Sequence, residues 1–226
     1  MADRVSNARK KELEQPDPFI ESMYKSLETA KKLKKQLLWG GCIIASIICI
    51  VSITVYTIHA AEIKASVMLN DALKTYGTQK PKEGYASVKD QFGSLLNEYP
   101  NTSSGKIGRV RFAEICYEAG EYEMASKHYL SALDDFKNDP VMQNILMSSM
   151  GHTCQELKKY QEAEKYFKSI AESNTELMKD DALFNLGMVS IANGENQKGI
   201  DFLKKLSSGY EKSMYKTMAD EIIARN

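Results

Sequence analysis

Two stretches of this chain repeat one another. Glu118 to Leu133 reads EAGEYEMASKHYLSAL, and Glu156 to Ile170 reads ELKKYQEAEKYFKSI. Aligned on their alanines, Tyr122, Ala125, Tyr129 and Ala132 fall on Tyr160, Ala163, Phe167 and Ile170. Steps of three and four put each set on one face of an α-helix, with a small residue where another element must come close. Upstream, Phe112, Ala113 and Cys116 match Met150, Gly151 and Cys154; downstream, Leu186, Gly187, Gly194, Gly199, Leu203 and Leu206 form a third copy. The small position recurs at 125, 163 and 199, a period of 36 to 38 residues. A weaker register precedes these, with Tyr85, Val88, Phe92, Leu95 and Pro100 fitting a second helix and Ala72 to Tyr76 a poor first one. One helix pair of this size cannot bury its apolar face alone, so a fixed period predicts stacked pairs that share a core. An ordinary bundle also buries alanines and aromatics, but has no reason to repeat them in one register.

These residues resemble the tetratricopeptide repeat. The paired large and small residues of its first helix appear as Phe112-Ala113, Met150-Gly151 and Leu186-Gly187, and its second helix as Tyr-x-x-Ala-x-x-x-aromatic. The spacing is longer than the family's 34 residues, and the third copy has Asn196 and Gly199 in place of Tyr and Ala. The resemblance implies an α-solenoid whose first helices line a groove for peptide segments or partner helices. Carried over residue by residue, the groove positions are Ile107, Val110, Glu114 and Tyr117, then Ser148, His152 and Gln155, then Phe184, Met188 and Ile191. Val110 and Glu114 stand where family members that capture chaperone tails carry basic and amide residues, which argues against that ligand class. A terminal helix from Tyr210 to Arg225, with Tyr210, Met214, Met218 and Ile222 every four residues, is expected to cap the stack and to cover part of this apolar set.

Ahead of the repeats, Leu37 to Ile58 reads LLWGGCIIASIICIVSITVYTI, without one Asp, Glu, Lys, Arg or His. As a helix this run reaches roughly 33 Å, enough for a hydrocarbon core of about 30 Å. It is too long for the apolar stretch of a cleavable signal and is followed by a weak cleavage site, so an uncleaved span is expected. Cys42 precedes most of the apolar run, the reverse of a lipid-attachment signal. Lys25, Lys31, Lys32, Lys34 and Lys35 flank the amino side against Lys64 on the other, which predicts a cytoplasmic amino end and an extracytoplasmic repeat domain.

The net charge of zero hides an asymmetry: residues 1–37 carry nine Lys/Arg against six Asp/Glu, and residues 59–226 carry 21 against 24. No concentrated basic face emerges, so nucleic acid is not an expected partner. Cys116 and Cys154 occupy equivalent places in successive pairs, roughly 8 to 10 Å apart and beyond disulfide reach, and are expected as buried free thiols. His152 and Cys154 with His59 and His128 make no zinc ligand set. Asp134-Asp135 and Asp180-Asp181 fit helix ends or solvated faces better than a catalytic dyad. No nucleophile elbow, phosphate loop or HExxH is present, so neither an enzyme nor a cofactor is expected.

The expected class is all-α, a single transmembrane helix followed by a tetratricopeptide-like α-solenoid of three to four helix pairs. Its parts are a basic tail (1–36), the span (37–58), a helical linker with a degenerate repeat (59–105), repeats at 106–139, 144–177 and 180–209, and the capping helix (210–226). This plan resembles the ancillary subunit of the bacterial Sec translocon and related periplasmic repeat proteins of envelope assembly, as does the stretch Tyr99 to Tyr129. It implies a single-pass inner-membrane adaptor for translocon or chaperone components, with lipid contact through residues 37–58. The alternative is a self-assembling homo-oligomeric scaffold in which Gly40-Gly41, Cys42 and Cys49 let spans approach.

Overall fold

A computed structural model describes residues 17–77 and 79–225. Residues 1–16 of the expected basic tail lie outside the described residues. Ten α-helices and no strand are present among those described. The chain divides into two compact units, Met1–Ile58 and His59–Asn226.

In the first unit, α1 spans Pro18–Lys32. The Asp17 side chain accepts from the Phe19 N–H at 2.9 Å, Pro18 supplies a pre-set φ at the first position, and Lys31 and Lys32 face the negative carbonyl end. Leu33 breaks the helix and its N–H returns to the Thr29 carbonyl. Then α2 runs Lys34–Tyr76, beginning before the expected span and continuing past it, since no glycine or proline interrupts Cys42 to Tyr76. Its most apolar window has a mean hydropathy of 2.3, long and apolar enough to cross a membrane. Ser46, Thr54 and Thr57 turn their hydroxyls back onto carbonyls of their own helix, at 2.8–2.9 Å, as an apolar medium requires.

The second unit contains the stack. The later part of α2 packs on α3 (Pro81–Glu98) through the cluster holding Leu69, Ala72, Val88 and Phe92. Then α4 (Ser103–Ala119) pairs with α5 (Tyr122–Asp135), α6 (Pro140–Glu156) with α7 (Tyr160–Ala171), and α8 (Lys179–Ala192) with α9 (Asn196–Gly209), and α10 (Lys216–Arg225) packs on α9. The pairs start at Ser103 and Pro140, a few residues ahead of the expected 106 and 144, because Thr102 and Asp139 cap those helices through the N–H groups of Gly105 and of Val141 and Met142. Glu62 of α2 adds a second cap to α4, accepting from Ser103 N, Ser104 N and Ser104 Oγ at 2.6–2.9 Å, and the Ser104 hydroxyl holds its carboxyl below the usual range.

The repeated small and aromatic residues carry the packing. Val88, Ala125, Ala163 and Gly199 are buried one turn ahead of Phe92, Tyr129, Phe167 and Leu203, which are buried too. A Cβ on Gly151 would meet the Phe167 ring at 2.5 Å, and one on Gly187 would meet Leu203 at 2.6 Å. In the first pair a ring also lies against a glycine, near the turn: Tyr76, at the end of α2, packs on Gly84, where a Cβ would sit 2.6 Å away. Burying each large side chain contributes about 1.5–3 kcal/mol, so the shared core rather than any single pair stabilises the stack.

The turn inside each of the last three pairs is the same. Gly120, Lys158 and Gly194 have φ of 85°, 58° and 85°. The next residue in each donates its N–H to a carbonyl five back at 2.8 Å: Glu121 to Cys116, Lys159 to Cys154, Glu195 to Ser190. This left-handed cap satisfies carbonyls the first helix would otherwise leave open.

The cap differs from the expected one. Residues 210–215 turn, through Ser213 N to Tyr210 O at 3.0 Å, and α10 begins only at Lys216. Its inward residues are Ala219, Ile222 and Ile223, with Tyr215 from the turn, whereas Met214 is 81% exposed and Met218 is also exposed. The four-residue spacing from Tyr210 therefore marks no helix face, because its first members are not helical.

Candidate functional groove

The first helices of successive pairs, α4, α6 and α8, supply the positions carried over as a groove. On α4, Ile107 is 49% exposed and Glu114 takes the Arg111 guanidinium at 2.7 Å. Val110 is 7% exposed and belongs to the core. Tyr117 is half-buried, edge-on to Tyr122 with centroids 5.4 Å apart; burial, then the charge of Glu156, raises its hydroxyl pKa.

On α6, Ser148 is buried and its hydroxyl donates to Asp181 of α8 at 3.3 Å, so it joins adjacent helices instead of opening to solvent. His152 and Gln155 remain half-buried and are paired through Nδ1 and Oε1 at 3.0 Å, with the imidazole edge-on to Phe167. On α8, Phe184 stacks on Tyr215 with centroids 4.9 Å apart, and Ile191 packs into the terminal cluster around Leu203 and Leu206. Tyr215 is fixed by Asp181, whose hydrogen bond, with burial, raises the phenol to about 12. Met188 is half-buried. The uncovered part of the set is thus Ile107, Glu114, Tyr117, His152, Gln155 and Met188, while the next helix or the terminal turn covers Ser148 and Phe184.

One exposed residue was not among the carried-over positions. Ile145 is 37% exposed at the place in α6 that Ile107 holds in α4, eight residues before Thr153 as Ile107 is before Ile115. The alignment that selected Ile107 contained that signal. Around it α6 is unusual: Glu156 is its single Asp, Glu, Lys or Arg, so the middle of this face offers shape and apolar contact in place of charge.

The reactive residue types are turned to structural use. Cys116 and Cys154 are buried and free, and burial raises the Cys116 thiol to about 12, which keeps it protonated and unreactive. His128 lies edge-on to Phe112; burial, then Arg109 and Lys127, lowers it to about 4, so it is neutral near pH 7. Asp135 pairs with Arg109 at 2.8 Å, tying α4 to the end of α5, and Asp180 and Asp181 sit in the first turn of α8, where the helix dipole favours them.

Residues 146–176 match the tetratricopeptide repeat family. No curated protein matches the chain. Among solved structures it is similar to a kinesin light chain protein of Podosopora anserina with nearly identical TPR-like repeats (11% identity, 70% of this chain and 83% of that one, TM-score 0.53). It is similar also to BtubC (BKLC) from P. vanneervenii (11% identity, 74% and 82%, TM-score 0.53). A third is PilF of Pseudomonas aeruginosa (14% identity, 73% and 77%, TM-score 0.50). At these identities the likeness is one of fold. The chain is a tetratricopeptide-like α-solenoid whose third helix pair carries the sequence of the tetratricopeptide repeat itself.

Proposed function

We propose that this protein is a membrane-anchored docking scaffold: α2 crosses the bilayer through residues 37–58, and the stack presents its groove to protein segments without catalysing a reaction. The observation that carries this reading is the register of the uncovered positions. Ile107 and Ile145 hold equivalent places in adjacent pairs, with Tyr117, His152, Gln155 and Met188 beyond them. Equal steps of one helix-packing distance, about 8–10 Å, suit an extended or helical partner laid across the helices. The lysines before the span favour a cytoplasmic amino end and an extracytoplasmic, in a two-membrane cell periplasmic, groove. Clients of a translocon or of periplasmic chaperones are the partner class this placement suits. Photo-crosslinking residues at positions 117 and 155 of the full-length protein in cells should give adducts with envelope proteins. Adducts confined to cytosolic proteins would reverse the orientation and remove the envelope role.

A second reading, self-assembly through the span, has one observation in its favour: Cys42 and Cys49 are exposed seven residues apart, and a Cβ on Gly40 or Gly41 would meet nothing within 4 Å. Sedimentation of the full-length protein in mild detergent separates the readings, since a monomer at high micromolar concentration removes it.

A further inference from the structure

We infer that α1 is a membrane-surface helix, lying in the headgroup layer of an anionic leaflet with one apolar face inserted and its terminal lysines on lipid phosphates. The inference rests on α2 being a span. At 100° per residue, Phe19, Ile20, Met23, Tyr24, Leu27 and Ala30 fall within one arc of about 140°, opposite Glu21, Ser22, Lys25, Glu28, Thr29 and Lys32. Phe19, Ile20, Met23, Tyr24 and Leu27 are all exposed, so none of the described residues covers this apolar face. Such a division, large apolar residues on one side and charges on the other, is what an interfacial helix requires.

Charge gives the surface its sign. Glu21 pairs with Lys25 at 2.9 Å and Glu28 with Lys32 at 3.7 Å, both on the polar side, so the acids of α1 are balanced within the helix. Lys31, Lys34 and Lys35 add positive charge where the chain approaches the apolar run, the level at which phosphates lie. Lys31 is the one charged residue inside the apolar arc, at its last turn, where its stem can lie along the acyl boundary while the ammonium reaches outward. The helix is interrupted at Leu33, with φ −94° and ψ 9°, between α1 and α2.

A second copy is a poorer occupant. A helix of 15 residues is roughly 22 Å long, and a strip of that length about 10 Å wide offers near 220 Å², well below the ~800 Å² per partner of a stable interface. A bilayer needs no such area, because the neighbouring span already holds α1 at its surface.

The test uses the full-length chain with Cys42→Ser and Cys49→Ser in vesicles, carrying one nitroxide at Ser22, Met23, Leu27, Thr29 or Ile47. With phosphatidylglycerol present, positions 23 and 27 should show an oxygen-to-nickel-chelate accessibility ratio several-fold above positions 22 and 29, and position 47 the highest. The contrast should weaken in pure phosphatidylcholine, and in a Lys31, Lys32, Lys34 and Lys35→Gln variant. Equal, water-like values at 22, 23, 27 and 29 with position 47 still in hydrocarbon would overturn the inference and leave the span intact. A water-like value at 47 would overturn the span reading itself. Spin–spin broadening between labels at position 23 would assign the face to a second copy and overturn the lipid assignment.

Discussion

In the third helix pair the ring of Phe167 lies over Gly151 and Ala163 presses on the facing helix; in the fourth, Leu203 lies over Gly187 and Gly199 does the pressing. The turn inside each pair has the same hydrogen bonds, yet the left-handed residue is Lys158 in one and Gly194 in the other, and the last core position of the first helix is Cys154 in one and Ser190 in the other. The backbone geometry is thus held by main-chain bonds that any residue supplies, while the side chains set how closely the helices approach. The fourth pair approaches closely enough that a Cβ on Gly199 would fall 2.7 Å from the Gly187 carbonyl oxygen. The third leaves room for the alanine methyl.

The largest effect should come from filling these contacts. Gly199→Ala meets backbone that cannot swing aside, and Ala163→Leu and Ala125→Leu wedge a branched side chain into the same place, so each should cost about 1–3 kcal/mol. Chemical denaturation of the full-length protein in detergent should show all three midpoints lowered, with Lys127→Leu, on an exposed position, within about half a kcal/mol. Tolerance of leucine at 125 and 163 equal to that at 127 would break the equivalence on which the stack rests.

A smaller effect tests the two first helices. Ser190 is fully buried and its hydroxyl has no hydrogen-bond partner among the described residues, whereas Cys116 and Cys154 put sulfur at the equivalent places. Ser190→Cys and Ser190→Ala should each stabilise by about 1 kcal/mol, by removing an unsatisfied donor from the core. A loss on both substitutions would show that the hydroxyl has a partner in solution.

The smallest expected change is at the turns. Lys158 holds a φ of 58°, a conformation that strains a residue with a Cβ, so Lys158→Gly should stabilise by about 0.5–1 kcal/mol. The reciprocal Gly194→Lys should lose at least as much. Thermal melts of the two variants check the pair together, and a loss on Lys158→Gly would mean that the lysine side chain contributes more than its backbone strain removes.

The fold was legible in the sequence where burial follows from local spacing. Ala125, Tyr129, Ala163 and Phe167 recur at helical steps, and all four are buried as that pattern demands. The groove was less legible, because whether Ser148 or Phe184 is open depends on Asp181 and Tyr215, which approach from other elements. The terminal helix was misread for a related reason: Tyr210, Met214, Met218 and Ile222 imitate a helical stripe across a turn, and the spacing alone does not reveal where the helix starts. Ile145 was available by alignment with Ile107 and needed no structure to find.

The connectors between pairs vary in length, and the longest, residues 172–178, joins the third pair to the fourth. Asn144, 3% exposed on α6, fastens it by donating to Thr175 Oγ1 and the Leu177 carbonyl, each at 3.0 Å. Seen as a mechanical element, each helix pair is a stiff link and this connector is a joint, latched by the Asn144 amide and by Met178, which packs against the shared core. Strain between the third and fourth pairs would load this joint, and the buried Asn144 amide is one of the contacts that set its compliance.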